Sequence, residues 1–131
     1  MIDSPERAAL EAESWLASAR DKLAALENGE AQANVCCALA IHAIIRANDA
    51  VTLRFLRIKA TRHDDAPALF GKLLEQGKVT GENKRFLRLL QRMAVDKSGA
   101  DYGKSVFSRK DAQAYVQDAE EFVEEAKRLI K

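Results

Sequence analysis

Trp15, Leu16, Ala19, Leu23 and Leu26 recur at steps of three and four, which draws one apolar stripe down a helix of 3.6 residues per turn. The signals for a helix start stand just upstream. Ser4 offers an oxygen to an orphan backbone N–H, Pro5 suits the first helical position, and Glu6 sits at the positive end of the dipole. Asn28-Gly29 predicts its end. A second helix is predicted from about Glu30 to about Ala60, apolar nearly all round from Val35 to Ala47, so other helices have to surround it. Asp64 or Asp65 is placed to cap a short third helix with Leu69, Phe70, Leu73 and Leu74 inward. Gly77 to Gly81 predicts a turn, with Thr80 as the next cap, and a fourth helix buries Phe86, Leu87, Leu90, Met93 and Ala94. Its Arg85, Arg88 and Arg92 fall on or near the surface. A loop is predicted from about Ser98 to Phe107. Ser108 and Asp111 then have capping-box spacing before a last helix. Its stripe runs through Ala112, Tyr115, Val116, Ala119, Phe122, Val123, Ala126, Leu129 and Ile130.

No strand-like alternation and no repeat interrupt this pattern. It predicts an all-α fold: one antiparallel bundle of about five helices around a long buried central helix, forming a single domain over residues 1–131. Composition agrees, since only two prolines and six glycines occur among 47% hydrophobic and 31% charged residues.

Charge adds a second pattern. The formal net charge is +1, but residues 1–45 hold seven acids and three bases, while residues 46–97 hold twelve bases and six acids. Residues 98–131 are close to balanced, with six bases and seven acids. A basic middle that folds back on acidic neighbours explains most such patterns, and a phosphate-binding surface is the sharper reading. Adjacent Cys36 and Cys37 lie in an apolar stretch and point about a third of a turn apart, so they read as reduced core residues of a cytoplasmic protein. The first residues carry neither a basic nor an apolar signal region. The run from Val35 to Ile45, broken by His42 and followed by Arg46, Asn48 and Asp49, reads as too short and too polar for a bilayer, so no membrane partner is expected.

Three groups carry candidate chemistry. His42, Arg46 and Asp49 share one face of the second helix at i, i+4 and i+7, either as a partly exposed stripe with a satisfied histidine or as a polar pocket in which His42 moves a proton. His63-Asp64-Asp65 resembles a metal motif, but only two histidines exist and no ligand set is completed, so helix capping is the better reading and neither metal nor cofactor is called for. Lys97, Asp101 and Tyr102 place a base, an acid and a phenol in the predicted loop, with Gly99 and Gly103 letting the backbone bend.

The Ala-Ile-His42-Ala segment, His63 with Ala66-Pro67-Ala68-Leu69-Phe70, Leu87-Arg-Leu-Leu90, Ala100-Asp101-Tyr102, Ser108 and a long final helix together resemble the HEPN family of small prokaryotic helical-bundle proteins, over roughly residues 7–130. The resemblance implies a four-helix up-and-down core plus an extra helix, homodimerisation, and links to RNA or nucleotides. It further implies that the partner is RNA, a nucleotide or a minimal nucleotidyltransferase. The residues themselves offer Arg46, Asp49, Lys97, Asp101 and Tyr102 as ligand-binding groups, with phosphate contacts from Arg54, Arg57, Lys59 and Arg62 at the end of the second helix and from Arg85, Arg88 and Arg92 along the fourth. Toxin ribonucleases of the family use an Arg followed at short spacing by a His before the terminal helical region. Here Lys97 stands where that Arg is expected and Asp101-Tyr102 where the His would be, while Arg57 and His63 meet the spacing in a different place. Two alternatives to a binding module stay open: a metal-independent endoribonuclease, with His42 or His63 as general base, Lys97 or Arg92 stabilising the phosphorane and Tyr102 positioning substrate, or with Arg57 and His63 as the site; and a structural dimeric adaptor.

Overall fold

A computed structural model describes residues 3–26, 30–102 and 107–131, apart from the side chains of residues 30, 31, 63 and 98–102. Five α-helices account for most of it: α1 (Pro5–Ala24), α2 (Glu30–Leu56), α3 (Ala66–Glu75), α4 (Lys84–Tyr102) and α5 (Arg109–Leu129). Short 3-10 turns at His63–Asp65 and Gly81–Asn83 introduce α3 and α4.

The caps form where their chemistry predicts. Ser4 Oγ accepts the Arg7 N–H at 3.1 Å, and Pro5 opens α1. Ser108 and Asp111 close a full capping box: Asp111 N–H donates to Ser108 Oγ at 3.1 Å, and Ser108 N–H donates to Asp111 Oδ2 at 2.9 Å. Asp65 stands at the N-cap of α3 without a side-chain cap bond, and the same holds for Thr80 before the second 3-10 turn.

Cross-helix contacts give the helix directions. Trp15 stacks on His42 at 4.6 Å, and Cys36 Sγ donates to the Ala19 carbonyl, so α1 and α2 run antiparallel. Arg20–Glu120 and Lys127–Glu13 set α5 antiparallel to α1, while Arg92–Asp118 and Arg85–Glu121 set α4 antiparallel to α5. The result is an up-and-down core of α1, α2, α4 and α5, with α3 packed on α2 and α4. Helix α2 touches all four others, and Cys36, Cys37, Ala40, Ala43, Ile44, Ala47 and Val51 on it are fully buried. Phe122 of α5 joins the far side of the core, edge-on to Phe70 and tilted against Phe86.

Three expectations need correction. Helix α2 stops at Leu56 rather than near Ala60, because Arg57 turns into the left-handed region at φ 61° while its N–H still bonds the Leu53 carbonyl at 3.2 Å. Residues 98–102, read as the start of a loop, continue α4 to Tyr102. Helix propagation adds one backbone bond per residue, which offsets the roughly 1 kcal/mol that a helical Gly99 costs relative to alanine. By length and composition, Gln32–Leu56 is long and apolar enough to cross a bilayer, although 67% of its most apolar window is buried within the bundle, as in any core helix.

Candidate functional site

Arg46 is the hub of the polar stripe on α2. Its Nη1 and Nη2 donate to the two oxygens of Asp3 at 3.0 Å each, and Nη1 also donates to Asp49 Oδ2 at 2.7 Å. Lys59 Nζ donates to Asp3 Oδ2 at 2.9 Å. Arg46 Nε lies 3.2 Å from Glu11 Oε1, but off the N–H axis, so Nε is a buried donor without a hydrogen bond. Asp49 Oδ1 is likewise buried and unbonded. These groups, with Arg7 and Ala60, line an open pocket of about 440 Å³.

The electrostatics of the pocket are uneven. Bonds from Arg46, opposed by partial burial and reinforced by Lys59, hold the Asp3 carboxyl far below the usual carboxylate range. Burial pushes Asp49 the other way, above its ordinary value, against the pull of Arg46. The Arg46 side chain is only 14% exposed, and burial disfavours its charge, yet Asp3 and Asp49 more than compensate and raise its pKa. A cation this buried draws its stability from several carboxylates, and Asp49 and Glu11 still face Arg46 when Asp3 is removed.

The other sequence candidates are dispersed. His42 lies one turn before Arg46, stacked on Trp15 between α1 and α2. Lys97, Asp101 and Tyr102 lie at the opposite end of the bundle, where α4 finishes near the start of α2; the side chains of Asp101 and Tyr102 fall outside the described residues. Asn34, whose Oδ1 accepts the Phe107 N–H at that end, is twelve residues from Arg46, about 18 Å along a helix. The structure therefore joins Arg46 to Asp49 and separates both from Lys97, Asp101 and Tyr102. His42 and Arg57 are about 22 Å apart by helical rise and share no site. Arg57 and His63 both follow the C-terminal end of α2, and the His63 side chain is outside the described residues. Asp3, Arg7 and Glu11 were not among the sequence candidates; the signal available was Arg46 itself, a cation on a face too apolar to leave it without a carboxylate.

The basic residues divide into two groups. On α4, Arg85 donates to Glu121 at 2.9 Å and Arg92 to Asp118 at 2.6 Å, and Arg92 also lies over the ring of Tyr115, whose hydroxyl donates to Asp96. These arginines bind α5. Past the end of α2, Arg54, Arg57, Ile58, Lys59 and Arg62 are all exposed. Lys59 reaches Asp3, and Arg62 reaches Asp64 at 3.4 Å with both side chains at least half exposed. Among the described residues, neither Arg54 nor Arg57 makes an ion pair; Arg54 lies over the Phe55 ring at 5.5 Å. No group of three or more His, Cys, Asp and Glu side chains among the described residues is placed to hold a metal ion.

No protein-family model matches this chain, and no curated protein matches it.

Proposed function

We propose that this chain is a helical binding module of the HEPN type that takes single-stranded RNA along the basic segment from Arg54 to Arg62. The observation that supports this most is Arg57. It holds left-handed backbone at φ 61°, where glycine is the favoured residue, and projects from an exposed basic run rather than into an ion pair. Arg54 and Arg57, without ion pairs among the described residues, belong to a run of four cations over nine residues, and exposed Ile58 and half-buried Phe55 add apolar surface for bases. The α4 arginines are the weaker alternative, because α5 already supplies anions to Arg85 and Arg92 and leaves only Arg88.

The test is fluorescence anisotropy of a labelled mixed-sequence RNA across a salt series. Binding weakens steeply with salt, and the variant Arg54→Ala/Arg57→Gly/Arg62→Ala lowers the slope of log K against log salt by about two, at roughly 0.7 per phosphate contact on a single strand. The control Arg85→Ala/Arg92→Ala leaves the slope unchanged. Salt-independent affinity, or equal loss in the control, defeats this reading. RNA that is shortened by the wild-type chain and left intact by His63→Ala replaces it with the ribonuclease reading.

A further inference from the structure

The fork of Arg46 is occupied by an anion from the chain itself. Two guanidinium nitrogens meet the two oxygens of Asp3, and Lys59 adds a third bond. This two-point grip is how arginine holds the carboxylate or phosphate of a ligand. Asp3 precedes the first residue of α1, and its one bond to its own neighbourhood is from the Ser4 N–H at 2.9 Å. It can swing away without breaking a helical backbone bond. Nor does it complete the cluster, since Arg46 Nε remains without a hydrogen bond beside an open pocket that Glu11 and Asp49 also line. A phosphate fits this surplus better than a carboxylate does. Its third terminal oxygen and nearly two charges let it meet the two Arg46 nitrogens and Lys59 on separate oxygens, whereas Asp3 Oδ2 serves Arg46 Nη1 and Lys59 at once.

We propose that Arg46 and Lys59 form a binding site for a terminal phosphate group, and that Asp3 is the internal anion displaced when the phosphate enters. The site shares Lys59 with the Arg54–Arg62 run, but Arg46, its main ligand, lies outside that run. A short tether presents Asp3 at an effective concentration on the order of millimolar, so the wild-type chain binds phosphate only in proportion to its open fraction. Trp15 gives a local signal, because it stacks on His42, one turn from Arg46.

The experiment titrates inorganic phosphate into the full chain at constant ionic strength, by calorimetry and Trp15 emission. Asp3→Asn keeps a side-chain oxygen for the Ser4 N–H and binds phosphate at least tenfold more tightly than wild type. Adding Lys59→Met to that variant reverses most of the gain, and acetate binds more weakly than phosphate throughout. Equal affinity in wild type and Asp3→Asn, a gain that survives Lys59→Met, or acetate matching phosphate overturns the proposal. Should Asp3→Asn not fold, the wild-type chain decides: the Ser4 amide and Arg46 Nε–Hε NMR resonances shift together along one phosphate titration curve, and resonances that stay fixed overturn it. Because the probe is inorganic phosphate, failure here leaves the RNA reading intact, and failure of RNA binding leaves this site intact.

Discussion

Asp3 and Asp49 contact the same guanidinium, yet their carboxyl groups shift in opposite directions. Asp3 keeps some water and gains three charged donors, so attraction wins; Asp49 is deep enough that burial wins. The consequence for stability has a definite sign. Asp3 has its ordinary value of 3.8 only when released from its partners. Its contribution is therefore complete above about pH 5 and is lost as the pH falls through about 4 toward the lower folded value. Replacing Asp3 by Asn lowers stability by about 1 kcal/mol at pH 7, and that difference narrows at pH 3. Urea unfolding of both chains at pH 3, 5 and 7 checks this; a gap that stays constant with pH would mean that Asp3 contributes no charge interaction. Burial also governs the cysteines, and the Cys37 thiol is pushed up to about 12, as suits a core residue rather than a nucleophile. At this scale Arg46 and Asp49 were legible as one stripe from their spacing. Asp3 was not, because 43 residues separate it from Arg46.

Helix ends are where element and function compete. Gly77, at φ 69°, closes α3 with the residue that left-handed backbone favours, and Arg57 does the same at the end of α2 with one that it does not. Arg57→Gly should therefore raise stability by about 0.5–1 kcal/mol, since it relieves the Cβ clash at an exposed position. The midpoint of urea denaturation moves up if so, while RNA affinity falls. A destabilised Arg57→Gly chain would show that Arg57 has a packing role and would remove the main support for the binding reading. The pattern of apolar positions anticipated every helix, and the capping box of α5 was read from Ser108 and Asp111 alone. Residues 98–102 depart from the predicted loop because Ser98-Gly99 and Gly103 are turn residues only by local sequence, whereas an established helix continues through an isolated glycine.

Across the whole molecule, Phe122 ties three helices together, being fully buried against Phe70 of α3 and Phe86 of α4. Phe122→Ala removes contacts of all three at once and should cost about 3–5 kcal/mol, a large share of the roughly 5–15 kcal/mol that holds a domain together. Chemical denaturation measures it. A loss below about 1 kcal/mol would mean that α3 and α4 do not depend on this ring for their packing. The charge pattern also resolves only at this scale. The basic α4 and the acidic α5 meet along Arg85–Glu121 and Arg92–Asp118, so much of the positive middle segment is balanced within the bundle.

Helix identity, the buried stripes and the α1 and α5 caps followed from the sequence by itself, because each depends on residues within a few positions of one another. Burial of α2 also followed, since an all-round apolar helix has no other stable place in water. Which charges would meet was decided by the tertiary structure. Ion pairs form across helices at distances along the chain that no periodicity encodes, and the direction of each carboxylate shift depends on how much water the packed neighbours exclude. For that reason Arg46 found Asp3 rather than the Lys97–Tyr102 group, and Arg85 and Arg92 of α4 found α5, while Arg54 and Arg57 stayed in solvent.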